Sequence, residues 1–257
     1  MLNATLIKRI EITKELLILH IKPDEPLKPF LPGQYVALGL PGSAPRPDNF
    51  PEEKNPPKPD RLIKRAYSIG SSPENLDWLE FYIAVLPEGL LTSRLALLQE
   101  GDRLWMAKKI TGTFVLTPVP DNHNLILVST GTGIAPYISM LRTQSTWTAG
   151  RKITLLHGVR YSSDLAYRDE LLKLARQRES FSYYPVISRK DPNWHGERGY
   201  VQKFFEEALI KPDPSCDHIF LCGNPAMIAD MQKLLTPLGY KEHTRKEPGN
   251  LHVEKYW

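Results

Sequence analysis

Apolar and polar residues alternate along the first half of the chain, and proline and glycine separate the alternating stretches. A period of two residues is typical of β-strands that bury one face. The pattern predicts six strands and one short helix: Ala4–Glu11, Leu16–Ile21, Gln34–Leu40, Lys64–Ile69, Trp78–Val85 and Asp102–Ala107, with the helix at Thr92–Leu98. Short strands at this spacing favour an antiparallel barrel or sandwich.

Residues 41–62 interrupt this alternation. Seven prolines lie between Pro41 and Asp60, and the segment has almost no apolar periodicity. Because proline suits neither the interior of a helix nor a central strand, we expect a long exposed loop inserted in the barrel. We expect this loop to be mobile unless a partner orders it.

After Pro118 the pattern changes to continuous apolar runs that alternate with helical patterns. The predicted strands are Leu125–Ser129, Lys152–His157, Phe181–Ile187 and His218–Cys222. The predicted helices are Ala135–Arg142, Ser163–Arg176, Gly199–Ala208 and Pro225–Leu235. This alternation is typical of a parallel sheet covered on both faces. The sequence therefore predicts a β plus α/β protein, with an antiparallel β-barrel over residues 1–118 and a doubly wound parallel-sheet domain over residues 119–257.

The composition limits which cofactors and partners the protein can use. The 257 residues include only two cysteines, Cys216 and Cys222, too few for an iron–sulfur cluster with four ligands. Any redox chemistry would therefore use an organic cofactor, and we expect no metal. The net charge of +4 is too small to indicate nucleic acid but is compatible with weak steering of an acidic protein partner. Neither a membrane span nor a signal peptide is apparent, so we expect a cytoplasmic protein.

Two short motifs in the first half carry candidate binding groups. The first is Arg65-Ala66-Tyr67-Ser68, at the end of a predicted strand. Its guanidinium suits a pyrophosphate, its ring suits a flat heterocycle, and its hydroxyl can form hydrogen bonds. The second is the turn Gly89–Leu95, where Thr92 or a neighbour could cap a helix beside an anion. Each motif alone also fits an ordinary surface strand or a capped helix.

Two further motifs follow strands of the second half. In Ser129–Pro136, Gly131 and Gly133 allow a sharp turn and a close approach to a pyrophosphate, although the third glycine of a G-x-G-x-x-G fingerprint is absent. The other motif is Cys222-Gly223-Asn224-Pro225. Open α/β sheets bind ligands beyond the carboxyl ends of their strands, so we expect Cys222 to point toward a cleft. A buried, inert cysteine is the ordinary alternative.

With the four motifs in this order, the sequence resembles the bacterial branch of the ferredoxin–NADP reductase family. The resemblance runs from about Ala4 to Trp257, except for the Pro-rich insertion. It implies an FAD-binding barrel followed by an NADP-binding domain, with electrons exchanged between NADP(H), as hydride, and ferredoxin or flavodoxin, one at a time. It implies that Arg65 contacts the FAD phosphates, Tyr67 stacks on the isoalloxazine and Ser68 lies near flavin N5. The other FAD residues that it implies are Ile83, Ala84, Val85, Gly89, Leu91, Thr92, Ser93 and Thr132.

The resemblance also implies how NADP is selected. A site for NADP must neutralise the 2′-phosphate, and Arg160, Arg189 and Arg198 align with the arginines that do so in bacterial relatives. The other NADP residues that it implies are Thr130, Gly131, Thr132, Gly133, Gly223, Asn224 and Pro225. The nicotinamide is expected over the flavin near Ser68 and Cys222, which form the expected catalytic set with Tyr67.

The chain ends on Tyr256 and Trp257. The resemblance places C-terminal residues against FAD, with Tyr256 near the isoalloxazine and Trp257 on the adenine, or the reverse. We expect a monomer that meets its carrier transiently. Two other functions stay open: a reductase component of an oxygenase on the same scaffold, and a non-catalytic flavin-binding regulatory subunit. The second would need no site for a 2′-phosphate.

Overall fold

A computed structural model describes residues 1–148 and 150–255 of the chain. The described residues form two compact units. The first contains Met1–Val115 together with Ala135–Thr143, and the second contains Leu116–Ile134 together with the described residues from Gln144 onward.

The first unit is a six-stranded antiparallel sheet with the strand order β4-β3-β6-β1-β2-β5. Its strands are β1 Ala4–Thr13, β2 Leu16–Pro23, β3 Tyr35–Pro41, β4 Leu62–Ser68, β5 Leu79–Ala84 and β6 Arg103–Met106. Just beyond the edge strand β4, the Gly70 N–H donates to the carbonyl of Glu80 in the other edge strand, β5, at 2.8 Å. The edges therefore meet there, as a barrel requires, and all six predicted strands are confirmed.

Alternate residues of these strands form one apolar core. Leu6, Leu19, Leu38, Phe81 and Leu104 are completely buried, and each such side chain contributes about 1.5–3 kcal/mol to folding. The apolar residues whose period of two predicts the strands are therefore the ones that fill the core of the barrel.

The helix of the first unit, α1, covers Thr92–Leu95 and is shorter than predicted. The predicted continuation to Leu98 is wrong, because Leu97 and Leu98 donate to Arg94 and Leu95, three residues back, rather than four. These tighter bonds end the α-helix in a 3₁₀-like turn.

The Pro-rich segment forms no strand or helix among its residues between β3 and β4, as predicted. It is nevertheless tied to the barrel. The Glu53 carboxylate accepts two hydrogen bonds from the buried Arg94 guanidinium, at 2.6 and 3.0 Å. This finding corrects the expectation that only a partner would order the segment.

The second unit is a six-stranded parallel sheet with the order β10-β9-β8-β7-β11-β12. Its strands are β7 Asn124–Thr130, β8 Ile153–Val159, β9 Phe181–Ile187, β10 Glu197–Arg198, β11 Asp217–Gly223 and β12 Leu251–Lys255. The helices along this part of the chain are α2 Ala135–Leu141, α3 Arg168–Gln177, α4 Lys203–Glu206 and α5 Pro225–Leu235. The predicted fold class, an antiparallel barrel followed by a parallel-sheet domain, is confirmed.

Two predicted helices of this half differ in the structure. The first, Ser163–Arg176, is broken: a 3₁₀ turn covers Ser162–Asp164, and α3 begins at Arg168. The Asp164 carboxylate accepts from the Tyr161 N–H at 3.1 Å and so caps the separate turn. The second, Gly199–Ala208, shrinks to α4 because the chain is outside the helical conformation at both predicted ends, with φ of +113° at Gly199 and +54° at Ala208.

The α2 helix groups with the first unit, whereas the sequence predicts it in the second. Ser139 Oγ donates to the carbonyl of Ser71 at 2.7 Å, and the Arg142 guanidinium donates to the Glu80 carboxylate at 2.7 Å. These bonds account for the grouping. Among the described residues, no helix is long and apolar enough to cross a bilayer.

Three buried histidines lie on the parallel sheet. Burial lowers the pKa of His157 and of His218 to about 4, and that of His252 to about 3. His218 Nδ1 and His252 Nε2 lie 3.0 Å apart in a hydrogen bond, which requires at least one of the two rings to be neutral at that nitrogen.

We expect the second unit to lose stability in acid. An unfolded histidine titrates near 6.5, so between about pH 6.5 and pH 4 the unfolded chain binds protons that the folded chain does not, and the free energy of unfolding falls as the pH falls. At about 1.4 kcal/mol per pKa unit, His157 alone accounts for roughly 3 kcal/mol. Urea unfolding at several pH values measures this slope. His157→Gln should flatten it, and replacing the exposed His195 by Gln should not; equal slopes in all three proteins would contradict the assignment.

Candidate functional site

The first motif lies on β4, with the Arg65 side chain exposed and the Tyr67 side chain packed against the barrel core. The Arg65 guanidinium donates only to the carbonyl of Lys64, at 2.8 Å, and makes no ion pair among the residues that the structure describes. The Tyr67 hydroxyl is buried and lacks a hydrogen-bond partner within the described ranges. Burial also raises the pKa of Tyr67, so the phenol stays protonated. A buried orphan hydroxyl near an exposed cation fits a ligand that brings both a polar edge and a negative charge.

The second motif follows β5, in which Ile83 is buried and Ala84 is half-buried, with the buried Val85 directly after it. Thr92 Oγ1 accepts from the Leu86 N–H and donates to the Leu86 carbonyl, both at 3.1 Å. Thr92 therefore closes the turn and does not cap α1, which corrects the expected cap.

The rest of this turn is closely packed. A Cβ on Gly89 would lie 2.3 Å from Thr92 Oγ1, so a larger residue there would force the Thr92 side chain to move. Leu91 is buried, and Ser93 Oγ accepts from Arg46 Nε at 3.0 Å. An arginine of the Pro-rich segment thus reaches a residue that we predict for the FAD site.

In the second unit, the turn after β7 packs directly on the turn after β11. A Cβ on Gly133 would lie 2.5 Å from the carbonyl oxygen of Cys222. A Cβ on Gly223, where φ is +130°, would lie 2.4 Å from Thr130 Oγ1. Both positions therefore require glycine, the first for lack of space and the second for lack of space and for its backbone conformation as well.

Hydrogen bonds join the same two turns. The Asn224 N–H donates to Thr130 Oγ1 at 2.8 Å, and Asn224 Oδ1 accepts from the Ala226 N–H at 2.8 Å. Asn224 thereby caps α5, and Pro225 occupies the first helical position. Gly131 has a φ of +54°, and Thr132 is buried. The structure therefore brings the predicted Thr130–Gly133 and Gly223–Pro225 together at the carboxyl ends of β7 and β11.

His157 fixes the carbonyl of Gly131. Its Nε2 lies 3.1 Å from that oxygen, and its Nδ1 lies 3.5 Å from the Tyr183 hydroxyl. Because the low pKa keeps the ring neutral near pH 7, Nε2 carries the proton and donates, and Nδ1 accepts from Tyr183. A buried histidine in an otherwise apolar strand is a signal that the sequence offers, although the motifs do not include it.

The predicted arginines converge at the far edge of the sheet. Arg189 and Arg198 line a cleft of about 440 Å³, together with Lys190 and Asp191. The Arg189 N–H donates to the carbonyl of Arg160 at 3.0 Å, which places the backbone of Arg160 beside that of Arg189. The Arg160, Arg189 and Lys190 side chains are exposed and form no ion pair among the described residues.

One acidic residue of this cleft is already engaged. The Asp191 carboxylate accepts from the Ser162 hydroxyl at 2.6 Å and from the Asn193 N–H at 3.0 Å. These bonds hold the pKa of Asp191 below its usual value. The Arg198 guanidinium donates to the carbonyls of Asp191 and Trp194, at 2.6 and 2.9 Å, so it is oriented by the backbone. The cleft is thus lined by three cations and one anion, and its net charge suits an anionic group.

The Cys222 side chain is completely buried. Its thiol donates to the Glu254 carboxylate at 3.8 Å. Glu254 lies opposite Cys222 in the β11–β12 register, on a strand that the sequence does not predict. Ser68 is buried as well. Tyr256 and Trp257 lie outside the described residues.

Comparison with known proteins assigns the family. A family model described as an oxidoreductase NAD-binding domain matches residues 127–233. The ferredoxin–NADP reductase of Pseudomonas aeruginosa is 34% identical over 239 residues, which cover 88% of this chain and 86% of that protein. The chain belongs to the ferredoxin/flavodoxin–NADP reductase family.

Further members of this family match over most of their length. A flavodoxin/ferredoxin–NADP reductase of Buchnera aphidicola subsp. Baizongia pistaciae is 34% identical over 91% of this chain and 90% of its own. The structure of a ferredoxin–NADP reductase from Neisseria gonorrhoeae with bound FAD and NADP superposes with a TM-score of 0.80 at 27% identity, covering 98% of this chain and 97% of that one. The family resemblance seen in the motifs is therefore confirmed.

Proposed function

We propose that this protein is an FAD-dependent reductase that exchanges electrons between NADP(H) and ferredoxin or flavodoxin. The observation that carries the proposal is the basic cleft at Arg189 and Arg198, beside Arg160, because a nucleotide without a 2′-phosphate would not need it. The relatives' names support the choice of carrier, and the Neisseria structure, with FAD and NADP bound, supports the choice of cofactors.

We assign FAD to the first unit. Arg65 supplies a charge to its phosphates, the Tyr67 ring stacks on the flavin, and the orphan Tyr67 hydroxyl gains a polar partner. Bound FAD supplies the redox chemistry, since a flavin accepts a hydride and releases electrons singly. Ser68 stays a proposed neighbour of the flavin. The remaining proposed FAD residues are Ile83, Ala84, Val85, Gly89, Leu91, Thr92, Ser93, Thr132, Tyr256 and Trp257.

We assign NADP(H) to the carboxyl ends of the parallel strands. The glycines of the turns Thr130–Gly133 and Gly223–Pro225 let the backbone come close to the pyrophosphate, and Arg160, Arg189 and Arg198 hold the 2′-phosphate. His157 keeps the first turn in shape through the Gly131 carbonyl. Cys222 stays a proposed catalytic residue, as do Ser68 and Tyr67, and the Cys222 thiol is oriented by Glu254.

We further propose that the protein is a cytoplasmic monomer and that its carrier complex is short-lived. The net charge of +4 suits weak electrostatic attraction of an acidic carrier, which speeds association without making the complex tight. A chain with only two cysteines is also ordinary for a reducing compartment.

The experiment that tests the proposal is anaerobic electron transfer. Protein loaded with FAD is mixed with NADPH, and the host's ferredoxins and flavodoxins are then added one by one while their absorbance is followed. We expect NADPH to bleach the flavin and at least one carrier to be reduced catalytically. Bleaching by dithionite but not by NADPH would instead indicate a non-catalytic flavoprotein.

A further inference from the structure

A cluster of three charged side chains joins the Pro-rich segment to α1. We call Arg46, Glu53 and Arg94 the clasp. The Arg94 guanidinium donates two hydrogen bonds to the Glu53 carboxylate, at 2.6 and 3.0 Å, and Arg46 Nε lies 3.7 Å from the same carboxylate. Arg94 lies 41 residues after Glu53, and Arg46 lies 7 residues before it. No single short motif of the sequence therefore contains the cluster.

The clasp also reaches the backbone on both sides. Arg94 donates to the carbonyl of Leu90 at 2.7 Å and to that of Gly42 at 2.9 Å. Arg46 donates to the carbonyl of Pro51 at 2.9 Å and to that of Pro87 at 3.0 Å. The Pro-rich segment and the turn at 87–94 are therefore held as one piece.

The charges of the clasp do not cancel. Two guanidinium groups face one carboxylate, which Arg94 keeps ionised by holding the pKa of Glu53 below its usual value. The side chains are only 3% exposed for Arg94, 10% for Glu53 and 16% for Arg46. A buried excess of positive charge is costly unless an anion approaches it.

Two observations indicate where an anion would bind to the clasp. Arg94 Nε is buried without a hydrogen-bond partner within the described residues. Arg46 Nε donates at 3.0 Å to Ser93 Oγ, which belongs to the turn assigned above to FAD. The excess positive charge of the clasp thus lies at the turn that the proposed function assigns to FAD.

We propose that the clasp helps the Pro-rich segment to hold the FAD diphosphate. In this arrangement Arg46 adds a positive charge near the phosphates and orients Ser93. Glu53 and Arg94 are positioning residues that hold Arg46 at the turn. The inference rests on the proposed function, because the ligand is the FAD of that function. It assigns to the Pro-rich insertion, residues 41–62, a part in retaining the cofactor.

The test is the dissociation constant for FAD, measured on the apoprotein by flavin fluorescence at low and high salt. Arg46→Ala should weaken FAD binding by about tenfold or more, since a charge-assisted contact is lost. It should also reduce the salt dependence of binding, a change that loosening of the fold alone would not cause. Arg46→Lys, which keeps the charge but not the fork of donors, should restore the salt dependence and only part of the affinity.

Lys54→Ala is the matched control, because Lys54 is an exposed cation of the same segment and makes no ion pair among the described residues. It should bind FAD as the unaltered protein does. Equal affinity and equal salt dependence in Arg46→Ala and the unaltered protein would overturn the clasp and leave the proposed function standing. An unaltered protein that takes up no FAD would overturn the proposed function itself.

Discussion

Replacing Arg160 and Arg189 together by alanine lowers the preference for NADPH over NADH by about a hundredfold or more. In the proposed NADP(H) site, each arginine would give the 2′-phosphate a charge-assisted contact of about 1.5–3 kcal/mol, and about 1.4 kcal/mol corresponds to a factor of ten. Both side chains are exposed and without ion pairs among the described residues, so neither has a structural bond to lose. The measurement is kcat/KM for the two nicotinamides with one artificial acceptor.

A charge-matched control separates this effect from general electrostatics. Lys173 and Arg176 are exposed on α3 and do not line the cleft. Replacing both by alanine removes the same two charges and should leave the preference nearly unchanged. If the Arg160 and Arg189 pair affected NADPH and NADH equally, the cleft would not be the 2′-phosphate site.

Gly133→Ala should destabilise the second unit by roughly 3 kcal/mol, because a methyl group has to enter a space already filled by backbone. Its Cβ would lie 2.5 Å from the Cys222 carbonyl oxygen and 2.8 Å from Gly223 Cα. Binding of NADP should also weaken, because the two turns that we propose for the pyrophosphate are pushed apart. Urea unfolding and NADP titration measure the two effects.

Gly131→Ala is the internal comparison for this variant. Gly131 has a φ of +54°, and a Cβ there would meet nothing within 4 Å. Alanine in that conformation costs only about 1 kcal/mol. Equal losses of stability in Gly131→Ala and Gly133→Ala would show that backbone conformation, and not the contact between the turns, decides the geometry.

The sequence predicts the strands of both units well, because their periods follow directly from burial. It misses β12, although Leu251 and Val253 contact the core of the second unit. A five-residue strand at the edge of a parallel sheet carries too short a pattern to stand out from a C-terminal tail. Because the sequence does not predict β12, it also gives no sign of the contact between the Cys222 thiol and Glu254.

The sequence predicts those parts of the candidate site whose residues all lie within one short stretch of the chain. The Thr130–Gly133 turn contains its own glycines, and the Cys222–Pro225 turn contains its own glycine and the Asn224 cap, so both turns can be predicted from their sequences. The clasp is not predictable in this way, because Glu53 and Arg94 meet only through the tertiary fold. The prolines of the segment exclude regular structure, but they carry no information about which side chains anchor it.

The most direct measurement of the central claim is the stoichiometry of the anaerobic reaction described above. The account predicts a yellow protein whose FAD is bleached by NADPH, with about two one-electron carriers reduced for each NADPH consumed. A protein that cannot bind FAD, or a flavin that NADPH leaves oxidised while dithionite reduces it, would contradict the account.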